Sequence, residues 1–192
     1  MTQVVRSEFI LGGQKSGKSR RAESLAQHWL TGAPQRSALL IATAQAFDDE
    51  MRLRIERHRQ DRLVRVPGMK TIEEPLALAA TIKAFSYPDT LIVIDCLTLW
   101  LTAQLMPPNA DLVATASARW QTLATDLCSA IAQAHGPLVL VGNEIGLGVI
   151  PLGHEVRAFV DALGLLNQMV AATCVRVTLM SAGLPLNLKG PA

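Results

Sequence analysis

The sequence predicts an α/β domain: a doubly wound, mostly parallel sheet with helices on both faces. Three observations point to it. Short, unbroken apolar runs recur at Leu39–Ala42, Leu91–Ile94 and Leu138–Val141, as expected of strands buried on both faces. Longer segments with helical periodicity separate these runs, so strand and helix alternate. No repeat, low-complexity tract or long linker divides the 192 residues, and 1–192 reads as a single domain.

Val4–Leu11 reads as the first strand and runs straight into Gly12-Gly13. Ser19–Leu30 reads as a helix stopped by Gly32 and Pro34. Leu39–Ala42 is the second strand. Asp48 caps the next helix, with Asp49 and Glu50 in a first turn where the helix dipole favours negative charge. That helix runs to about Arg62, short of a Pro67-Gly68 turn. Glu74–Phe85 reads as a helix and Thr90–Ile94 as a strand ending in Asp95. A Pro107-Pro108 loop precedes a long helix, Leu112–Ala134. Leu138–Val141 is the next strand, His154–Ala172 the next helix and Val175–Met180 the last strong strand. A short edge strand is expected near Leu186–Leu188.

Composition narrows the function. The chain is 49% apolar and 18% charged, which excludes a disordered chain. Its 18 Lys+Arg against 16 Asp+Glu leave a net charge of +2, without the broad basic surface of a nucleic-acid binder. No run approaches the roughly 18–20 consecutive apolar residues of a membrane span. Arg6 and Glu8, followed at once by a glycine loop, do not read as a signal peptide. Cys96, Cys128 and Cys174 are odd in number and form no CxxC pair, so they read as reduced thiols of a cytoplasmic protein.

Gly12-Gly13-Gln14-Lys15-Ser16-Gly17-Lys18-Ser19 fits G-x-x-x-x-G-K-[ST] between a strand and a helix, the P-loop of nucleotide-binding NTPases. Glycines permit a tight turn whose backbone N–H groups converge on phosphate oxygens. The following helix presents its positive end to the same anion. Lys18 reaches the β- and γ-phosphates, and the Ser19 hydroxyl can ligate Mg²⁺. Asp95, closing the run Leu91–Ile94, falls at the strand end where the phosphate loop lies; it reads either as a second metal ligand or as the cap of a helix starting near Leu97. Asn143-Glu144, just past Gly142, reach the same edge, to position a nucleophile or to cap a helix.

Charge is concentrated in one place. Asp48–Arg65 holds six Arg and five acids, eleven of the chain's 34 charged residues. The plain reading is a solvated helix with pairs such as Glu50–Arg54; the sharper one is an arginine-rich element facing polyphosphate. His58 falls at helical spacing beside Met51 and Ile55, and by composition alone reads as a packed histidine. His28, His135 and His154 have no motif around them.

Read together, the segments GGQKSGKSRRAE, IATAQAFDDEMRLRIERHRQDR, TIEEPL, LIVIDCLTLWL, VGNEIGLGVIP and SAGLPLNLKG resemble, in order and across nearly the whole chain, the bifunctional adenosylcobinamide kinase/adenosylcobinamide-phosphate guanylyltransferases of cobalamin (vitamin B12) biosynthesis. The P-loop is shared widely; the DDEM…RI-x-x-H segment and NE-[IV]-G-x-G-[IV]-[IV]-P are far more specific. The resemblance implies a RecA-like fold and an oligomer, commonly a trimer. It implies phosphorylation of adenosylcobinamide with a nucleoside triphosphate, GTP or ATP. Transfer of GMP from GTP to adenosylcobinamide phosphate then gives adenosylcobinamide-GDP and pyrophosphate. It places the GMP-carrying nucleophile on His58, and contacts to the nucleotide or its Mg²⁺ on Thr43, Arg62, Glu73 and Asp95. An imidazole suits the role, because its P–N bond is labile enough for a phosphate acceptor to break.

Several positions depart from the family pattern. Val66 replaces a tryptophan, with about three residues inserted before Thr71; Ala103 stands for Asn, Val160 and Leu165 for Arg, and Thr173-Cys174 for Ala-Asp. These departures are expected to reshape the surface that recognises base or corrinoid, or a subunit contact. Two other readings accommodate the P-loop: a small-molecule kinase with no guanylyl transfer, and a GTP-binding regulatory module, for which switch-loop motifs are wanting.

Overall fold

Seven strands and six helices account for the described residues of the computed structural model, 3–45, 49–106 and 113–191. The order is β1 (Ser7–Gly12), α1 (Lys18–Thr31), β2 (Ser37–Ala42), α2 (Asp49–Arg65), β3 (Lys70–Glu73), α3 (Leu78–Phe85) and β4 (Thr90–Asp95). There follow α4 (Leu97–Leu105), α5 (Val113–Gln133), β5 (Leu138–Val141), α6 (His154–Thr173), β6 (Arg176–Ser181) and β7 (Leu184–Lys189). The strands form one sheet in the order β3-β2-β4-β5-β1-β6-β7. All pairs are parallel except β6 with β7, an antiparallel hairpin. The doubly wound, mostly parallel α/β architecture is therefore the observed one.

Side chains alternate across each strand, and this divides the core in two. Ile10, Leu40, Val93, Val139 and Val141 face α1, meeting Ala22, Leu25 and Ala26. Phe9, Ile41, Ile92, Ile94 and Leu140 face the other way, onto Leu78 and Ile82 of α3, Leu127 and Ile131 of α5, and Leu163 and Leu166 of α6. Neighbouring strands β1 and β5 thus send their next helices to opposite faces. Such a divergence opens a crevice at the carboxyl ends of the strands, and the glycine loop lies there.

Some boundaries differ from expectation. β1 starts at Ser7 rather than Val4, and β3 was not anticipated. The helix expected from Glu74 starts at Leu78, because the Glu74 carboxylate accepts from Leu76 N (2.9 Å) and Ala77 N (2.8 Å), bending the chain before the helix. The edge strand is longer than expected, six residues, with Pro185 tolerated because only one side pairs. The Asp48 cap and the Pro107-Pro108 loop lie outside the described residues.

Candidate nucleotide site

The phosphate loop is braced from several directions. Gly12 O accepts from Glu144 N (3.1 Å), Gly17 O from Arg21 N (3.0 Å), and Ser16 O from Gly183 N in the β6–β7 turn (3.0 Å). Contacts are close enough to require glycine. A Cβ at Gly12 would lie 2.5 Å from Met180 O, and one at Gly17 would lie 3.2 Å from Gly183 Cα. Gly17, at φ 102°, also occupies the N-cap of α1 with no side-chain cap, so the first N–H groups of the helix are left for an anion.

Lys18 is buried, and its Nζ donates to Gly13 O at 2.6 Å, across the mouth of the loop. Burial lowers its pKa from 10.5, with the charges of Cys96 and Asp95 opposing that shift. Asp95 is therefore close enough to feel the ammonium. Ser16 Oγ is buried without a hydrogen-bond partner among the described residues, a polar atom turned into a loop shaped for phosphate.

The other expected residues gather along the same sheet edge. Register places Glu73, Ala42, Asp95 and Val141 in one row across β3, β2, β4 and β5. Asp95 is half-buried and does not cap α4; Cys96 holds that position without a side-chain cap bond, so the capping reading is corrected. Thr43, next after Ala42, is buried, and its hydroxyl is engaged: it donates to Cys96 O (2.7 Å) and accepts from Cys96 N (2.8 Å). Thr43 thus locks the β2 end to the β4 end. Glu73 is exposed. Arg62 is half-buried, and its Nε has no partner among the described residues.

Glu144 and Asn143 do not cap a helix, because α6 begins ten residues after Glu144 at His154, with Gly153 as its N-cap. Glu144 instead accepts from Gly146 N (2.7 Å) and shapes its own loop. Asn143 O accepts from Asn167 Nδ2 (3.1 Å), and Asn143 N donates to Thr98 Oγ1 (2.9 Å). The sequence motifs single out neither Asn167 nor the β6–β7 turn as part of the site. A buried Asn among apolar α6 residues, and a glycine turn in the segment SAGLPLNLKG, were the available signals.

His58 is exposed on α2, which overturns its composition-based reading as a packed histidine. The helix is held at its C-terminal end, where Arg65 pairs with Glu23 of α1 (3.0 Å) and Val66 enters the core. His58 lies two turns earlier. No hydrogen bond or ion pair among the described residues joins it to Lys18 or Ser19. The pairs seen along α2 are Asp49–Arg52 (3.3 Å) and Asp61–Arg65 (3.1 Å); the Arg54 side chain, and with it Glu50–Arg54, lies outside the description. Among the departures from the family pattern, Val66, Ala103 and Cys174 are buried, so they belong to the core and not to a recognition surface. Only Val160 and Leu165 border an open groove.

Mg²⁺ is usually held by one or two protein oxygens together with substrate phosphates. Ser19 at the start of α1 and Asp95 at the end of β4 fit that sparse donor set, and no cluster of three or more metal-binding side chains occurs among the described residues. No helix among them is long and apolar enough to cross a membrane.

Comparison with known proteins agrees with this geometry. The flagellar accessory protein FlaH of Methanocaldococcus jannaschii shares the fold, with a TM-score of 0.53 at 13% identity, over 96% of this chain and 78% of that one. The bifunctional adenosylcobalamin biosynthesis protein CobP of Pseudomonas aeruginosa is 44% identical over 183 residues, 95% of this chain and 97% of its own. CobU of Escherichia coli, a bifunctional adenosylcobalamin biosynthesis protein, is 33% identical over 187 residues, 94% of this chain and 98% of its own. A family profile described as cobinamide kinase / cobinamide phosphate guanyltransferase matches residues 8–188. With that match spanning almost all of a chain whose phosphate loop, strand-end carboxylate and sheet order are in place, this protein is an enzyme of the cobinamide kinase / cobinamide phosphate guanyltransferase family.

Proposed function

We propose that one phosphate loop serves two reactions, phosphorylation of adenosylcobinamide and guanylylation of the resulting phosphate, the second through His58. The observation that carries the reading is the braced, anion-ready loop with Lys18 drawn across it. In the first reaction the aminopropanol hydroxyl oxygen bonds to the γ-phosphorus, the bond to the bridging oxygen breaks, and a nucleoside diphosphate leaves. Lys18 and the first N–H groups of α1 stabilise the charge gathering on the departing phosphates.

In the second reaction an imidazole nitrogen of His58 bonds to the α-phosphorus of GTP as the bond to pyrophosphate breaks. The phosphate oxygen of adenosylcobinamide phosphate then displaces the imidazole, breaking the P–N bond and forming the diphosphate of adenosylcobinamide-GDP. The exposed position of His58 requires α2 to fold over the loop when GTP is bound; attachment of the helix through its last turn supports that movement. Arg62, with its buried unpaired Nε, and Glu73 are the residues of this flank that meet the nucleotide. Mg²⁺, held by Ser19 and Asp95, would neutralise phosphate charge. The enzyme works in the cytoplasm as a homo-oligomer, a state that sedimentation velocity reads directly.

The test is incubation with GTP labelled at the α-phosphate. Acid-labile label on the intact protein, absent from His58→Ala, is expected. Intact protein that never takes up label would leave only the plain kinase reading.

A further inference from the structure

A groove of about 570 Å³ lies between the loop joining β5 to α6 and the face of α6 that runs from Arg157 to Gln168. Val149, Ile150, Val160 and Leu165 line it, with Asp161 and Gln168 among the residues that border it. The volume falls within the ~300–1,000 Å³ range of small-molecule sites. We infer that this groove seats the corrin ring of the substrate; the inference rests on the cobinamide reading above.

Place is the first argument. The substrate must bring its terminal hydroxyl, and later its phosphate, to the phosphate loop, so its bulky ring has to rest against surface continuous with that loop. Glu144 N is bonded to Gly12 O, and the groove begins at the next residue, Ile145. On the opposite flank the β6–β7 turn is packed against Ser16 and Gly17 and covers that side of the loop. The α2 flank is taken by the nucleotide in the proposed reaction.

Chemistry is the second. A corrin ring is broad, studded with methyl groups and edged with carboxamides, so it needs an apolar bed and a few donors and acceptors around it. Asp161 can accept from a carboxamide N–H, and Gln168 can both donate and accept. Glycine keeps the bed open, since a Cβ at Gly148 or Gly164 would meet nothing within 4 Å.

The walls are also fixed to one another. Asn167 Nδ2 donates to Asn143 O at 3.1 Å, and Arg157 Nη1 donates to Pro151 O at 3.0 Å, tying the loop to α6 at both ends. Yet Val149 and Leu152 are each 97% exposed. Apolar side chains held outward on a tethered loop mark a surface that something covers.

Two variants test the assignment. Gly164→Phe fills the groove from a position with open space, and Val149→Asp charges its bed at a site too exposed to disturb folding. Both are expected to raise the KM for adenosylcobinamide at least tenfold, with GTP labelling of His58 and the sedimentation coefficient unchanged. A KM within twofold of the wild type for both variants would overturn the assignment. So would a change in oligomeric state, which would give the groove to a second copy of the chain. A wild-type enzyme that turns over no cobinamide would instead overturn the functional reading itself.

Discussion

The phosphate loop is gripped by three parts of the chain, whereas, among the described residues, the helix that carries His58 is gripped at one end. Gly12, Ser16 and Gly17 accept hydrogen bonds from the β5–α6 loop, the β6–β7 turn and α1, and glycine is enforced there by backbone at 2.5–3.2 Å. Along α2, by contrast, Leu53 and Val64 are 69% and 83% exposed, and the tie to α1 is Arg65–Glu23 with Val66 behind it. The contrast fits the two different tasks proposed for these regions. A loop that holds the same phosphates in both reactions gains from rigidity, because preorganised donors cost no rearrangement as charge develops. A nucleophile that must collect GMP from one partner and pass it to another gains from a mobile support.

The comparison can be broken first at Lys18. Lys18→Met should lower both activities by about 10²–10³-fold or more, measured as phosphorylated and guanylylated product. Its stability effect runs the other way. Burial lowers the lysine's pKa, so the charged form is the destabilised one. That cost is present below the folded-state value and vanishes as pH rises past 10.5. At neutral pH, Lys18→Met should therefore melt no lower than the wild type; a clear drop in Tm would show the ammonium to be a structural group.

The bracing itself is tested at Gly12. Gly12→Ala drives a methyl onto Met180 O and should cost about 2 kcal/mol or more of stability, read by urea unfolding, with nucleotide affinity falling in parallel. The loose helix is tested at Arg65. Arg65→Ala should change the guanylyl-transfer rate several-fold and the kinase rate less than twofold, since it frees α2 and touches nothing in the loop. Equal effects on both rates would dissolve the distinction. The smallest expected effect is at the thiols. Burial pushes Cys96 up to about 11, with Asp95 adding to it, and burial pushes Cys174 up to about 12. Iodoacetamide should therefore alkylate the half-buried Cys128 first in the native enzyme, as peptide mapping would reveal.

Which of these features could be read from residues alone follows from the range of the interactions involved. The phosphate loop is eight consecutive residues with a mechanical reason at each fixed position of the motif, and Asp95 closes an apolar run, so both were legible. β3 was not: Lys70–Glu73 has one half-buried side chain and three exposed ones, and it is a strand only because β2 pairs with it. Thr43 lies at the sheet edge, but its two hydrogen bonds to Cys96 span 53 residues and leave no local trace. The departures at Val66, Ala103 and Cys174 suggested surface, yet each lies in the core, since a single position says little about which face of its element is covered. For His58, helical spacing beside Ile55 implied a packed face; Ile55 is only half-buried, and the His58 side chain stands in solvent.

The most direct test assays both reactions on His58→Ala beside the wild type. The account predicts that guanylyl transfer and acid-labile GMP labelling disappear, while phosphorylation of adenosylcobinamide stays within about threefold. Loss of both reactions together, or GMP found by mass spectrometry on another residue, would contradict it.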